Sequence, residues 1–226
     1  MKALKISMYQ SMAAFTKPFI GRVGETYPLP PFATIKGFLH AMLNADTLIN
    51  FKIAIAGTSE GSVFDIQTYQ KISDGKGGRN VNKVNNGYLN KGAMEKTMLS
   101  DLNLEVYVKA DGATLERLKT ALEEPTRYPS LGRYEDLVLL KQVKFVELRK
   151  TKDTWNGIPI NIPCYVPLTV ARSSGLHGIK YSLKTTYELK DNLRAWKTTE
   201  VIYVTNGRMK QEVYMDKTEP VFFLEA

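Results

Sequence analysis

The chain has 226 residues, enough to bury a substantial core as one large domain or as a compact domain with a smaller appendage. Its 31 Lys and Arg stand against 23 Asp and Glu, and the net charge of +8 favours a polyanionic partner or an acidic surface. No run approaches the ~20 apolar residues of a membrane span, and Ser7, Gln10 and Ser11 interrupt the first twelve residues, which therefore lack the apolar core of a signal peptide.

Taken in chain order, residues 3–10 predict a strand in which Leu4, Ile6 and Met8 alternate with more polar positions. A long loop then runs past Pro30 and Pro31 into a helix over residues 34–44. Its apolar residues Ile35, Phe38, Leu39, Met42 and Leu43 share one face, while Lys36, His40 and Asn44 line another. Two strands, 51–56 and 63–72, flank the turn-rich GTSEGS. Residues 73–97 are rich in Gly, Asn and Lys without sustained periodicity and read as a protruding, mobile hairpin or loop. Leu102, Leu104, Val106 and Val108 mark the next strand. A helix over 113–124 puts Leu115, Leu118, Ala121 and Leu122 on one side and stops at Pro125. The loop TRYPSLGRYED leads to a strand over 143–148.

Strand, helix, strand, strand, helix, strand is the order of an α+β, ferredoxin-like unit, here spanning residues 1–150 with 73–97 inserted. Residues 151–226 predict a β-rich C-terminal region without a strong helix, from CYVPLTVA, KYSLKTTYEL and EVIYVTNGRMKQEVYM. In the last of these, Asn206-Gly207 is the signal for a tight hairpin. The lone Cys164 excludes an internal disulfide or a multi-cysteine metal site, suits a reducing cytoplasm, and is expected as a buried small hydrophobe.

Three segments concentrate positive charge. The loop 16–31 sets Lys17, Arg22 and Tyr27 against the single acid Glu25, and Gly21 and Gly24 let a phosphate backbone come close; the alternative is a proline-stiffened connection. In the insertion, Lys76, Arg79 and Lys83, with Lys71, Lys91 and Tyr88 nearby, suit a finger that orders on a nucleic-acid strand, against a merely variable loop. Its GKGG stretch lacks the spacing of a P-loop. In YPSLGRYED, Gly132 frees the backbone to approach an anion and Arg133 supplies a planar fork for a phosphate, although spacing alone favours a salt bridge of Arg133 to Glu135 or Asp136.

TYPLPPFATIKGFLHAML, residues 26–43, resembles the proline-rich loop and first helix of the Cas five family of CRISPR proteins. YPSLGRYEDLV, residues 128–138, resembles the same family's glycine-rich LGR loop, in the same order and at roughly the same separation. The family belongs to the RAMP superfamily, and the overall pattern resembles its subtype I-B branch. The resemblance implies a ferredoxin-like, RRM-like RNA-recognition domain, a thumb formed by 73–97, and a smaller C-terminal β region. It further implies a subunit of a type I surveillance (Cascade) complex that caps the 5′ tag of the guide RNA, packs beside the backbone and large subunits, and meets target DNA through the assembled complex. On this reading Arg133 with the amides near Gly132, and Arg22 with Lys36, grip the tag. Lys17 lies alongside, Tyr27 or Tyr128 stacks a splayed base, and the thumb wedges beside the RNA end. No metal or other cofactor is expected.

One branch of the family, in subtype I-C, cuts precursor guide RNA, which requires a general base for the 2′-hydroxyl and an acid or cation for the leaving group. Only His40 and His177 are present, and neither adjoins a lysine as the Lys-His pair of the cutting branch does. Convergence of Lys36, Tyr27 and His40 is the route left to an endoribonuclease. There is no HExxH, DxDxDG or CxxC pattern for a metal site. Trp155 and Trp196 are expected in core or subunit contacts, with base stacking as the alternative. The sequence therefore favours a clamp over a catalyst, and leaves an unrelated basic single-stranded RNA-binding module as a third reading.

Overall fold

A computed structural model describes residues 1–18, 23–73, 82–84, 87–191 and 193–225, with only the backbone described at Tyr69, 71–73, 82–84, 87–90 and Glu225. After β1 (Lys2–Ala13) and the short β2 (Val23–Gly24) come α1 (Phe32–Met42), β3 (Lys52–Thr58), β4 (Gly61–Ser73), β5 (Asn82–Val84), β6 (Gly87–Lys109), α2 (Gly112–Glu123) and β7 (Leu139–Glu147). The remainder holds β8 (Arg149–Thr151), β9 (Ile158–Ile160), β10 (Cys164–Pro167), α3 (Leu168–Ser174), β11 (Ile179–Lys190), β12 (Leu193–Val204), β13 (Gly207–Met209), β14 (Val213–Asp216), β15 (Glu219–Val221) and β16 (Leu224–Glu225).

The central strands lie in the order β3-β6-β1-β7, every neighbouring pair antiparallel. Alternation makes one face apolar: Leu4, Ile6 and Met8 stand opposite Val108, Val106 and Leu104. Both helices cover this face. Phe32, Ile35 and Leu39 of α1 and Leu115, Leu118 and Leu122 of α2 complete the main core. α1 begins two residues before the expected 34 because Pro31 takes the N-cap position, where its missing N–H costs nothing. α2 is capped by Asp111, whose carboxylate accepts the Thr114 N–H at 2.9 Å.

The opposite face carries Ala3, Ala54 and Tyr107, packed against Leu148 and Val221. Here the small β15-β14-β8 sheet docks, and Asp216 of β14 meets the Lys5 ammonium at 2.8 Å and the Tyr107 hydroxyl at 2.9 Å. C-terminal strands also extend the main sheet, since β10 and β16 pair with β3, and β12 and β11 continue beyond β10. Cys164, buried in β10, has its thiol pKa pushed up to about 12 by burial.

Two expectations are corrected. Residues 168–171 form the start of helix α3, closed by Gly175 in the left-handed conformation (φ 65°), and do not continue a strand. Asn206-Gly207 does not close a hairpin: β12 is hydrogen-bonded by β10 on one edge and β11 on the other, so β13 finds no free edge there and pairs with β9. The insertion, expected as a hairpin or loop, forms strands where it is described. Residues 87–97 belong to β6, which pairs with β4 from Gly61↔Ser100 to Ser73↔Tyr88 as a long two-stranded ribbon. Residues 74–81 and 85–86 of the insertion lie outside the described residues. Among the described residues no helix is long and apolar enough to cross a membrane.

Candidate nucleic-acid interface

The loop after β1 folds back on itself through backbone bonds, Tyr27 N–H to Phe15 O (2.8 Å) and Lys17 N–H to Glu25 O (2.9 Å), with Thr26 Oγ1 accepting the Phe15 N–H at 2.8 Å. Tyr165 of β10 pins the far side by donating to Leu29 O at 2.7 Å. The chain therefore enters α1 from a fixed direction. The first turn of α1 has neither a side-chain cap nor an acidic residue, so no side chain compensates its positive dipole end, although the Thr34 N–H donates to Pro31 O at 2.9 Å.

The Gly132 turn is built on buried Asp136. This carboxylate accepts the N–H of Ala14 and of Arg133, both at 3.2 Å, while Gln10 Nε2 donates to Leu131 O and Asp136 O at 3.0 Å each. Gly132 sits at φ 101°, and a Cβ there would stand 3.0 Å from Ala14 O, so this docked turn requires glycine. Together the proline-flanked start of α1 and the Gly132 turn enclose a cleft of about 500 Å³. Its walls include Thr16, Pro18, Pro31, Thr34, Ser130 and Gly132, and the β11–β12 hairpin closes it with Lys184 and Trp196. The Lys184 ammonium lies 4.9 Å from the Trp196 ring centroid, a cation–π pair at the cleft wall. On the other flank of α1 a second cleft of about 450 Å³ is lined by Lys36, His40, Asp46, Tyr187, Arg194 and, again, Trp196.

The residues singled out from sequence divide accordingly. Gly132 and the loop around Tyr27 share the first cleft, whereas Tyr128, two residues before Ser130 of its wall, does not line it and is 88% exposed. Tyr27 itself is 8% exposed with its ring edge-on to Tyr181 at 5.4 Å; it is a core residue, which corrects its expected role as a base-stacking surface. Lys17 is paired with Glu25 at 2.9 Å, and this hydrogen bond raises its pKa against the opposing effect of partial burial. Arg133 is also corrected. Its guanidinium is held by Asp136 at 2.6 Å and Glu135 at 3.0 Å, so it supports the turn and presents no free fork to a phosphate. Lys36 does not lie on an exposed polar face, because β11 packs across α1 and buries it. Arg22, Lys76 and Arg79 lie outside the described residues, and of Lys83 only the backbone, in β5, is described.

His40 is fully engaged: Nε2 accepts the Ile49 N–H at 2.9 Å, which places the ring proton on Nδ1, and Nδ1 donates to Lys36 O at 2.8 Å. His177 is exposed beyond α3. Lys184 escaped the sequence reading, since nothing local ties it to α1. The alternating cations of KYSLKTTYELK and their aromatic neighbours were its one available signal.

An antiparallel sheet with two helices on one face, a long ribbon and a clefted, cation-lined helix flank defines the class: a mixed α/β protein. The family described as CRISPR-associated protein (Cas_Cas5) matches residues 3–163, a span that includes both sequence motifs, and the chain belongs to that family. Among solved structures, a chain of a "CRISPR RNA-guided surveillance complex" aligns with a TM-score of 0.61 at 13% identity, over 93% of this chain and 91% of that one. A "CRISPR protein from Archaeoglobus fulgidus" aligns with a TM-score of 0.50 at 12% identity over 100% of both. At such identities the likeness is one of fold. No curated protein matches the chain.

Proposed function

We propose that the chain is a non-catalytic RNA-binding subunit of a type I CRISPR surveillance complex. It holds the 5′ tag of the guide RNA in the cleft between α1, the Gly132 turn and the β11–β12 hairpin, beside the backbone and large subunits, and meets target DNA through the assembled complex. The observation that carries this reading is the convergence of the proline-flanked helix start and the Gly132 turn, far apart in sequence, on one cleft walled by Lys184 and Trp196. Uncapped helix N–H groups and a side-chain-free glycine backbone suit a phosphate. Lys184 neutralises one, and Trp196 and Tyr128 offer faces to unpaired bases.

In this reading residues 1–150 are a ferredoxin-like RNA-recognition domain, the β4–β6 ribbon is its thumb, with Lys83 in the paired β5 strand, and residues 151–226 supply the second wall of the cleft. The engagement of both His40 nitrogens with backbone groups favours a clamp over an endoribonuclease. The test is guide-RNA retention in the assembled complex with Lys184→Ala and Tyr128→Ala, two exposed positions whose loss leaves the core intact. Retention is expected to fall about ten-fold and to fall further with added salt. Unchanged retention in folded variants rejects the assignment, and specific metal-independent cleavage of a repeat-containing transcript replaces it with a processing enzyme.

A further inference from the structure

Lys36 lies in the middle of α1 with 5% of its surface exposed, and its ammonium has no hydrogen-bond partner among the described residues. Buried charges are ordinarily paired, because leaving water without a partner is costly. Burial accordingly holds the Lys36 pKa below the ordinary lysine value. An orphaned group of this kind calls for an explanation other than folding.

The second cleft supplies one. Lys36 forms part of its floor, and the facing wall on the β11–β12 hairpin carries one cation, Arg194, with the rings of Tyr187 and Trp196. Tyr187 and Trp196 pack edge-on at 5.2 Å, and the Arg194 guanidinium lies 4.6 Å from the Tyr187 centroid. Asp46 is the one carboxylate among the lining residues, and the His40 ring is fixed by its two backbone bonds. Trp196 borders both clefts, as does Gly37, an exposed helix position with open space where a side chain would stand. The two clefts therefore adjoin across α1 at Gly37 and Trp196.

We propose that the second cleft is a further nucleotide subsite for single-stranded RNA, in which the buried Lys36 ammonium receives a phosphodiester, Arg194 holds the neighbouring phosphate, and the Tyr187–Trp196 wall takes a base. The subsite rests on the reading of the first cleft as a guide-RNA site and extends it along the strand. It also explains the orphaned charge: Lys36 is kept for the ligand at the expense of the free protein's stability.

The test uses the full chain carrying Trp155→Phe, an exposed position, so that Trp196 is the single tryptophan. A short single-stranded oligoribonucleotide is titrated while Trp196 emission and affinity are read, with inorganic phosphate as a separate arm. RNA is expected to shift the emission saturably. Lys36→Met and Arg194→Ala are each expected to weaken binding about ten-fold, and Lys36→Met to raise the thermal midpoint, which a lysine retained for folding would not do. If RNA binds in a Lys184-dependent way but both variants stay within about two-fold of the parent, the subsite is overturned and the first cleft stands. If inorganic phosphate shifts the emission as far as RNA does at equal concentration, the site is one for free anions and the inference fails. Absence of RNA binding in every form overturns the proposed function and the subsite together. Should Lys36→Met not fold, Arg194→Ala, at an exposed position, decides alone.

Discussion

The Asp136 carboxylate accepts two backbone N–H groups and most of the Arg133 guanidinium, so one anion both closes the Gly132 turn and docks it on the end of β1. The same pairing raises the Arg133 pKa, the Asp136 hydrogen bond outweighing the opposing effect of partial burial. Truncating Arg133→Ala leaves Asp136, 4% exposed, with backbone donors alone, and is expected to destabilise the chain by about 3 kcal/mol in urea unfolding. Arg133→Lys should recover only part, because a compact ammonium cannot span both carboxylate oxygens as the planar fork does. An unchanged midpoint for Arg133→Ala would remove the guanidinium from the turn's support. This pair was legible in advance, since arginine and the two acids lie two and three residues apart in one tight loop. The burial of Lys36 was not: helical periodicity shows which residues miss the apolar stripe, but not that a distant hairpin packs over them.

At the scale of elements, the two long helices differ at their starts. α1 is uncapped and faces a cleft at its start, whereas α2 is capped by Asp111 and packs on the sheet and against α1. The side-chain and backbone bonds to Thr114 hold the Asp111 carboxyl below its ordinary value of 3.8. A depressed pKa means that the cap contributes above the unfolded value and is lost as pH falls through the folded one. Asp111→Ala is therefore expected to lower the neutral-pH thermal midpoint by about 3 °C. Asp111→Asn should keep the midpoint and shed the acid dependence, and equal effects from the two would show that the cap bond is not formed. Both helices and the strands of the central sheet were readable because their periodicities are local. α3 and the failed hairpin at Asn206-Gly207 were not, because the outcome depended on which edges of β12 were already occupied by β10 and β11. The outer half of β6 was hidden by Gly and Asn residues that weaken the local signal while the ladder with β4 still forms.

Across the whole molecule, besides the packing of β11 on α1, the C-terminal third holds on to the first part in two ways, through sheet pairing at β3 and through the small sheet on the opposite face. Neither contact is readable locally, since each joins residues from opposite ends of the chain. The second is clasped by Lys5 of β1 and Asp216 of β14, joined at 2.8 Å and only 17% and 12% exposed, with the Tyr107 hydroxyl as a third member. Burial opposes the charge on both partners, yet their hydrogen bond prevails, raising the Lys5 pKa and lowering that of Asp216. The signs fix the pH window. A raised lysine pKa gives stability fully present below its ordinary 10.5 and lost as pH rises through the folded value. A depressed aspartate pKa gives stability present above its ordinary 3.8 and lost as pH falls through the folded value. Lys5→Met is thus expected to cost about 2 kcal/mol between those limits, because it strips a half-enclosed carboxylate of its cation. The difference from the parent chain in urea unfolding should shrink on either side of the window, and Lys5→Met with Asp216→Leu should recover much of the loss by removing both charges together. A difference that stayed constant from acid to alkaline pH would show that the clasp carries no charge, and the docking of the C-terminal sheet would then rest on apolar contacts such as those of Leu148, Tyr214, Val221 and Phe223.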